Sequence, residues 1–363
     1  MKPIFVARPS LPDLVRVNRY LNEIWERNMV TNFGPLEKKL AVDIAQFLDL
    51  RQVMMFSNGH AGMEAILSAL PEKGEVITTP FTFPSTIHAI INTGHTPVLV
   101  DVQQDGFGPD PQAVEDAITS RSVAVLGVHV YGIPCDVDAL ADIGARHDLA
   151  VLYDAAHCFG ARHRGRSLVS FGDAAMVSTH ATKIYHTIEG GFVSANTNRL
   201  NPNKIGRYRN FGITDGDVMP DAANAKMSEM HAAIGLLNLE DFYAAQARRL
   251  GIAVNYHSGF ARQSTFEPLK PASPNMSYYV VAFRGSPEEA SKARQKAMDK
   301  AAERGVHSRP YFAPSLNQTT AFKEFAGNRN FERSEALAAS LLCLPMFDSM
   351  TETEQTRVIE AFD

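Results

Sequence analysis

Ala150-Val151-Leu152-Tyr153-Asp154-Ala155-Ala156-His157 decides the fold. Its first four residues are apolar without alternation, the pattern of a strand buried on both faces, and the run ends on a carboxylate. Similar apolar runs stand at 52–56, 75–79, 97–101, 123–128 and 173–177. Stretches of helical spacing separate them, among them 111–118 and 138–146. Apolar strands alternating with amphipathic helices predict an α/β fold, a mostly parallel sheet covered on both faces. Ligands of such sheets lie beyond the carboxyl ends of the strands. Ser57-Asn58-Gly59, Phe83 and Asp154 all fall just past a predicted strand end.

Outward from this centre, 11–27 and 36–48 read as helices joined by the turn-prone Val30-Thr31-Asn32-Phe33-Gly34-Pro35. Beyond the α/β region, 227–254 reads as one long helix. Proline and serine then cluster around 269–274, followed by a strand at 277–283 and helices at 288–304, 332–342 and 354–362. The expected division is a large domain, 1–249, and a smaller α+β domain, 250–363, with the N-terminal helix packing in either.

The 363 residues are 45% hydrophobic and 21% charged, the composition of a packed globule. A net charge of −5 leaves no basic footprint, so nucleic acid is not an expected partner. No apolar run has the length of a bilayer and the N-terminus has no signal-peptide pattern, so no membrane association is expected. Cys135, Cys158 and Cys343 follow no paired spacing, which fits a reducing, cytoplasmic address.

Ser178-Thr179-His180-Ala181-Thr182-Lys183 follows the run at 173–177, and Glu189-Gly190-Gly191 opens another apolar run. A lysine on such a turn is ordinarily surface chemistry, and Asp154 taken alone reads as a helix N-cap. Phe83 reads equally as core, and His157 as a satisfied buried histidine. Together the residues suit pyridoxal phosphate. Lys183 would be its covalent anchor, Asp154 the carboxylate at the ring nitrogen and Phe83 the stacking partner. The Gly59-His60-Ala61 turn and the Ser178 hydroxyl would hold its phosphate. A metal site from Asp154, His157 and His163 lacks a supporting ligand pattern, so no metal is expected.

The chain resembles the DegT/StrS-type sugar aminotransferases, pyridoxal-phosphate enzymes of fold type I, the aspartate-aminotransferase fold. The resemblance rests on an ordered series: Ser57-Asn58-Gly59-His60-Ala61, Pro80-Phe81-Thr82-Phe83, Val128-His129-Val130-Tyr131-Gly132 and Asp154-Ala155-Ala156-His157. Phe171-Gly172-Asp173, His180-Ala181-Thr182-Lys183, Glu189-Gly190-Gly191 and Leu341-Leu342-Cys343-Leu344-Pro345 continue it. The resemblance implies Lys183 as anchor and proton shuttle, Asp154 at the pyridinium, His157 beside the ring and Phe83 on its face. Asn224, within Ala223-Asn224-Ala225-Lys226-Met227-Ser228-Glu229, would reach the neighbouring subunit's phosphate, implying a homodimer with shared sites. His60 departs from the family's threonine.

L-glutamate and a nucleotide-linked keto sugar are the implied substrates. The sub-branch most resembled acts on dTDP-4-keto-6-deoxyglucose to give dTDP-4-amino-4,6-dideoxyglucose, a sugar of surface polysaccharides. Thr31, Asn32, His186, Arg207, Arg209 and Arg309 are the candidate substrate contacts, although each arginine taken alone reads more readily as a solvated surface residue. A 3-keto or a UDP- or GDP-linked substrate, and a non-catalytic protein on the same scaffold, remain as alternatives. A lysine-lacking dehydratase of the same fold is disfavoured by Lys183.

Overall fold

The structure, a computed structural model, describes residues 2–214, 216–269 and 277–363. In chain order its main helices are α1 (Leu14–Arg27), α2 (Pro35–Leu48), α3 (Gly59–Ser68), α4 (Pro84–Asn92), α5 (Pro111–Ala117) and α6 (Val137–His147). They continue as α7 (Pro202–Tyr208), α8 (Glu229–Glu240), α9 (Phe242–Gly259), α10 (Pro287–Glu303), α11 (Glu332–Ser340) and α12 (Glu352–Phe362). The principal strands are β1 (Val53–Phe56), β2 (Glu75–Thr78), β3 (Thr96–Leu99), β4 (Ser122–Val128), β5 (Ala150–Asp154), β6 (Ala174–Ser178) and β7 (Gly191–Ala195). A smaller sheet follows, made of β8 (Phe266–Pro268), β9 (Tyr279–Phe283) and β10 (Leu341–Leu344).

Among the described residues the main sheet has seven strands in the order β1-β7-β6-β5-β4-β2-β3. Strand β7 runs antiparallel to both neighbours, while β6, β5, β4, β2 and β3 pair in parallel. This is the mostly parallel α/β sheet expected from the apolar runs. Successive strand residues divide between two cores, as the pleat requires. Met55, Val125, Val151, Tyr153 and Val177 face a core built with α1, α2, α5, α6 and α8. Met54, Leu126, Leu152 and Met176 face a second, built with α3, α4 and α7.

The smaller sheet packs with α9, α10 and α12 around Tyr256, Phe266, Val281 and Leu342. Helix α1 buries Tyr20 and Ile24 in the first core of the large sheet, whereas Ile4 joins the core of the smaller unit through a bridge to Val306. The helix read over 227–254 is two, because the chain bends at Asp241 between α8 and α9. The helix read over 332–342 stops at Ser340, and Leu341 opens β10. The proline- and serine-bearing junction falls, from residue 270 on, outside the described residues. A fourth cluster, including Phe81, Val128, Tyr131, Tyr278 and Cys343, joins the carboxyl edge of the main sheet to the smaller one.

Candidate active site

A cavity of about 370 Å³ opens at that junction, beyond the carboxyl ends of β1, β2, β4, β5 and β6. Gly59, His60, Phe83, Asp154, His157, Ser178 and Lys183 line it, so seven of the nine residues expected around the cofactor converge on one space.

Asp154 closes β5 and is 5% exposed. Its Oδ2 accepts from Thr86 Oγ1 at 2.7 Å and its Oδ1 from the Ala156 N–H at 3.1 Å. Thr82 Oγ1 lies 2.7 Å from Thr86 Oγ1, so the hydroxyls form a short chain behind the carboxylate. Burial pushes the Asp154 carboxyl up, against these hydrogen bonds and the charge of Lys183. A cation within the cavity would reverse that push.

Lys183 lies on the loop after β6, its backbone N–H donating to the His180 carbonyl at 2.9 Å. Among the described residues its amine meets no hydrogen-bond acceptor, and it lies 5.9 Å from the face of Tyr278. Burial brings it down to about 8, with Asp154 pulling the other way. The two charges feel each other without a direct ion pair.

His157 accepts the Tyr131 N–H on Nδ1 at 3.1 Å, so the neutral ring carries its proton on Nε2. Burial drives its pKa well down, and the Lys183 charge adds to this. The ring lies parallel to those of Tyr131 and Phe312, with centroids 6.2 and 6.3 Å away. Phe83, read equally as core, is instead 55% exposed on the cavity wall. An aromatic left open there is a surface awaiting a ring.

At the phosphate end, Asn58 caps α3 by accepting the Ala61 N–H at 2.8 Å, so that amide is occupied. The Gly59 and His60 N–H groups have no partner among the described residues and stand at the positive end of α3. The Glu189-Gly190-Gly191 run, without a physical role in the sequence reading, has one here. A Cβ on Gly191 would come within 2.6 Å of the Gly59 nitrogen, so glycine lets β7 pass beside this turn. Open amides, an unpartnered amine, a buried carboxylate and an exposed ring together fit pyridoxal phosphate.

Asn224 is exposed outside the cavity, its Oδ1 accepting from Lys226 Nζ at 2.7 Å. None of the six substrate candidates lines the cavity. Thr31 and Asn32 sit in the loop before α2, which Glu229 fastens by accepting the Leu36 and Glu37 N–H groups at 3.0 and 2.8 Å. Arg207 and Arg309 are exposed. Two candidates are committed elsewhere. His186 is 2% exposed, accepts the Ile188 N–H on Nδ1 at 3.3 Å and donates from Nε2 to the Ser10 carbonyl at 2.8 Å. Arg209 pairs with Glu37 at 2.8 Å, donates to the Met55 carbonyl and lies over Phe33 at 4.7 Å.

Sequence reasoning missed Thr82, Thr86, Ser85, Tyr278 and Phe312. The threonines were within reach, since they follow β2 and stand four residues apart at the start of α4. Tyr278 and Phe312 arrive from the far end of the chain without a local signal.

A model described as the DegT/DnrJ/EryC1/StrS aminotransferase family matches residues 15–363. A dTDP-4-amino-4,6-dideoxy-D-glucose transaminase of Shigella dysenteriae is 34% identical over 349 residues, covering 95% of this chain and 94% of that protein. The solved structure of DesI with its TDP-sugar product superposes with a TM-score of 0.92 at 31% identity, covering 99% of this chain and 92% of that one. Spr1654 of Streptococcus pneumoniae in its PMP form gives 0.88 at 25% identity, with 99% and 97% covered.

Proposed function

Because this chain belongs to the DegT/DnrJ/EryC1/StrS aminotransferase family, we propose that it moves an amino group from L-glutamate to dTDP-4-keto-6-deoxyglucose, giving dTDP-4-amino-4,6-dideoxyglucose. The class is plain: it is a pyridoxal-phosphate-dependent sugar aminotransferase of fold type I. One observation carries the chemistry, an unpaired lysine amine and a buried carboxylate lining the same strand-end cavity. The choice of sugar is supported by the near-full-length likeness to the Shigella dysenteriae transaminase.

Pyridoxal phosphate, when bound, supplies a conjugated ring that takes up the electrons of the broken bond. Lys183 Nζ would anchor it, and the same amine is placed to take a proton from the donor's amino-bearing carbon and to return one to the acceptor's carbon. With its pKa brought down to about 8, about a tenth of that amine is unprotonated at pH 7. Asp154, fixed by Thr86, meets the ring nitrogen with a charge set before reaction begins. Phe83 covers one face and the His157 Nε2–H stands beside the ring. Gly59 and His60 donate backbone N–H groups to the phosphate and Ser178 its hydroxyl.

In the same reading the enzyme is a homodimer in which Asn224 completes the partner's phosphate site. Support comes from its exposure outside this chain's own cavity and from the exposed Phe211, Ile213 and Val218 nearby. Arg207 and Arg309 are the free guanidinium groups for a diphosphate. Thr31 and Asn32, on the loop before α2, are kept as candidate substrate contacts. A cytoplasmic address is supported by three unpaired, buried cysteines. The test is incubation with glutamate and a panel of dTDP-, UDP- and GDP-linked 3-keto and 4-keto sugars, read by mass spectrometry. Amination of dTDP-4-keto-6-deoxyglucose above the rest is expected; preference for another sugar would overturn the substrate choice.

A further inference from the structure

Position 60 carries histidine where the family pattern has threonine, and the ring has been given partners on both sides. Its Nδ1 lies 2.8 Å from Ser85 Oγ, and its Nε2 lies 3.2 Å from Glu64 Oε1. Glu64 in turn accepts from Asn92 Nδ2 and Tyr208 Oη, both at 2.9 Å. Ser85 stands in the first turn of α4 and lines the same cavity as Gly59, His60 and Ser178. A carboxylate, an imidazole and a hydroxyl thus stand in line, with the hydroxyl at the cavity end.

We propose that Glu64, His60 and Ser85 form a relay in which charged His60 frees the Ser85 hydroxyl to donate to the phosphate of the bound cofactor. The reasoning is donor counting. Imidazolium donates from both nitrogens, one N–H to Glu64 and the other to Ser85 Oγ. The serine proton is then available to an anion in the cavity. Neutral His60 keeps its proton on the side of Glu64 and accepts on Nδ1, so the serine hydroxyl turns toward the ring and its donation is lost. His60 is a positioning residue and Ser85 the contact.

The groups facing His60 favour the charged form. Glu64, one turn along α3, holds the His60 pKa above its usual value, and the Ser85 hydrogen bond adds to that against partial burial. Burial opposes ionisation of Glu64, but hydrogen bonds from His60, Asn92 and Tyr208 hold it at about 2. Asn92 from α4 and Tyr208 from α7 complete the surroundings, and both are neutral donors to Glu64. The relay is therefore engaged below the His60 pKa, which lies above that of a free imidazole, and released as pH rises through it.

This inference rests on the cofactor assignment, and the experiment separates the two. Apo-enzyme is titrated with pyridoxamine 5′-phosphate, which forms no bond to Lys183, from pH 6 to 9, with binding followed by fluorescence. Relative to Ser85→Ala, the wild type should bind about tenfold tighter at pH 6 and lose that advantage by pH 9. Glu64→Gln should move the loss to lower pH. His60→Thr, whose side chain the family pattern accommodates, should abolish the pH-dependent part and keeps the test open if Ser85→Ala folds poorly. Pyridoxamine without phosphate should show no dependence on Ser85. Equal affinities for wild type and Ser85→Ala at every pH would overturn the relay. So would an equal Ser85 effect on pyridoxamine, or an effect confined to dTDP binding. Failure of the wild type to bind pyridoxamine 5′-phosphate would overturn the cofactor assignment and the relay with it.

Discussion

Arg209 and Lys183 are both cations held largely out of water near a carboxylate, yet their surroundings differ at every point. Arg209 is closed: Glu37 at 2.8 Å, the Met55 carbonyl, and the rings of Phe33 and Phe56 at 4.7 and 5.7 Å take up its guanidinium. Lys183 is open: among the described residues its amine has no hydrogen-bond partner, and Asp154 acts on it across a cavity. Desolvation moves both members of each pair toward neutrality, but Glu37 and Arg209 oppose it through a direct hydrogen bond as well as charge, whereas Asp154 and Lys183 act on each other by charge alone. A buried charge bonded directly to its counter-ion is architecture, whereas one without such a bond is prepared for a ligand.

The contrast breaks most sharply by substitution. Lys183→Ala should lower turnover on the order of 10³-fold or more while leaving the melting temperature within a few degrees. Steady-state kinetics beside a thermal melt would check both halves, and robust transamination by this variant would remove Lys183 from the chemistry. Arg209→Met should do the opposite. It strands Glu37, which is 3% exposed, and should cost about 3 kcal/mol by denaturant unfolding, with kcat near that of wild type in the folded protein.

Thr86→Val is a finer test, because it removes one hydrogen bond to Asp154 and leaves its charge. That bond favours the ionised carboxylate, so its loss should raise the Asp154 pKa further and move the acid limb of the rate profile to higher pH. A fall in kcat of about tenfold is expected. An unchanged acid limb would detach the threonine chain from the carboxylate. Smallest of all, Arg207→Ala and Arg309→Ala should each raise KM for the nucleotide sugar a few-fold with kcat unchanged, as exposed contacts to a diphosphate do. A change in kcat instead would place them nearer the reaction.

The same contrast explains what was legible in the chain. Asp154 follows an apolar run, and the rule that ligands gather at strand ends marked it without coordinates; Lys183 joined it through the needs of pyridoxal phosphate and the family resemblance. The strands of the main sheet follow from patterning of the same kind. His186 and Arg209 could not be sorted that way. A polar residue near a motif reads equally as ligand or brace until its partners are seen, and theirs, Ser10 and Glu37, lie more than a hundred residues away in sequence. The break at Asp241 was hidden because the apolar positions continue across it, and Tyr278 reaches Lys183 only through the packing of the small sheet on the large one.

Two properties of Lys183 remain to be read directly. In apo-enzyme, its rate of modification by an amine-reactive reagent should rise through a pH of about 8, because burial has lowered its pKa; a rise only above 10 would mean the amine is solvated. The decisive measurement is borohydride reduction of the enzyme reconstituted with pyridoxal phosphate, followed by peptide mapping. Loss of the visible band, with the cofactor's added mass on Lys183, is the expected result. A label on another lysine, or none, would contradict the account.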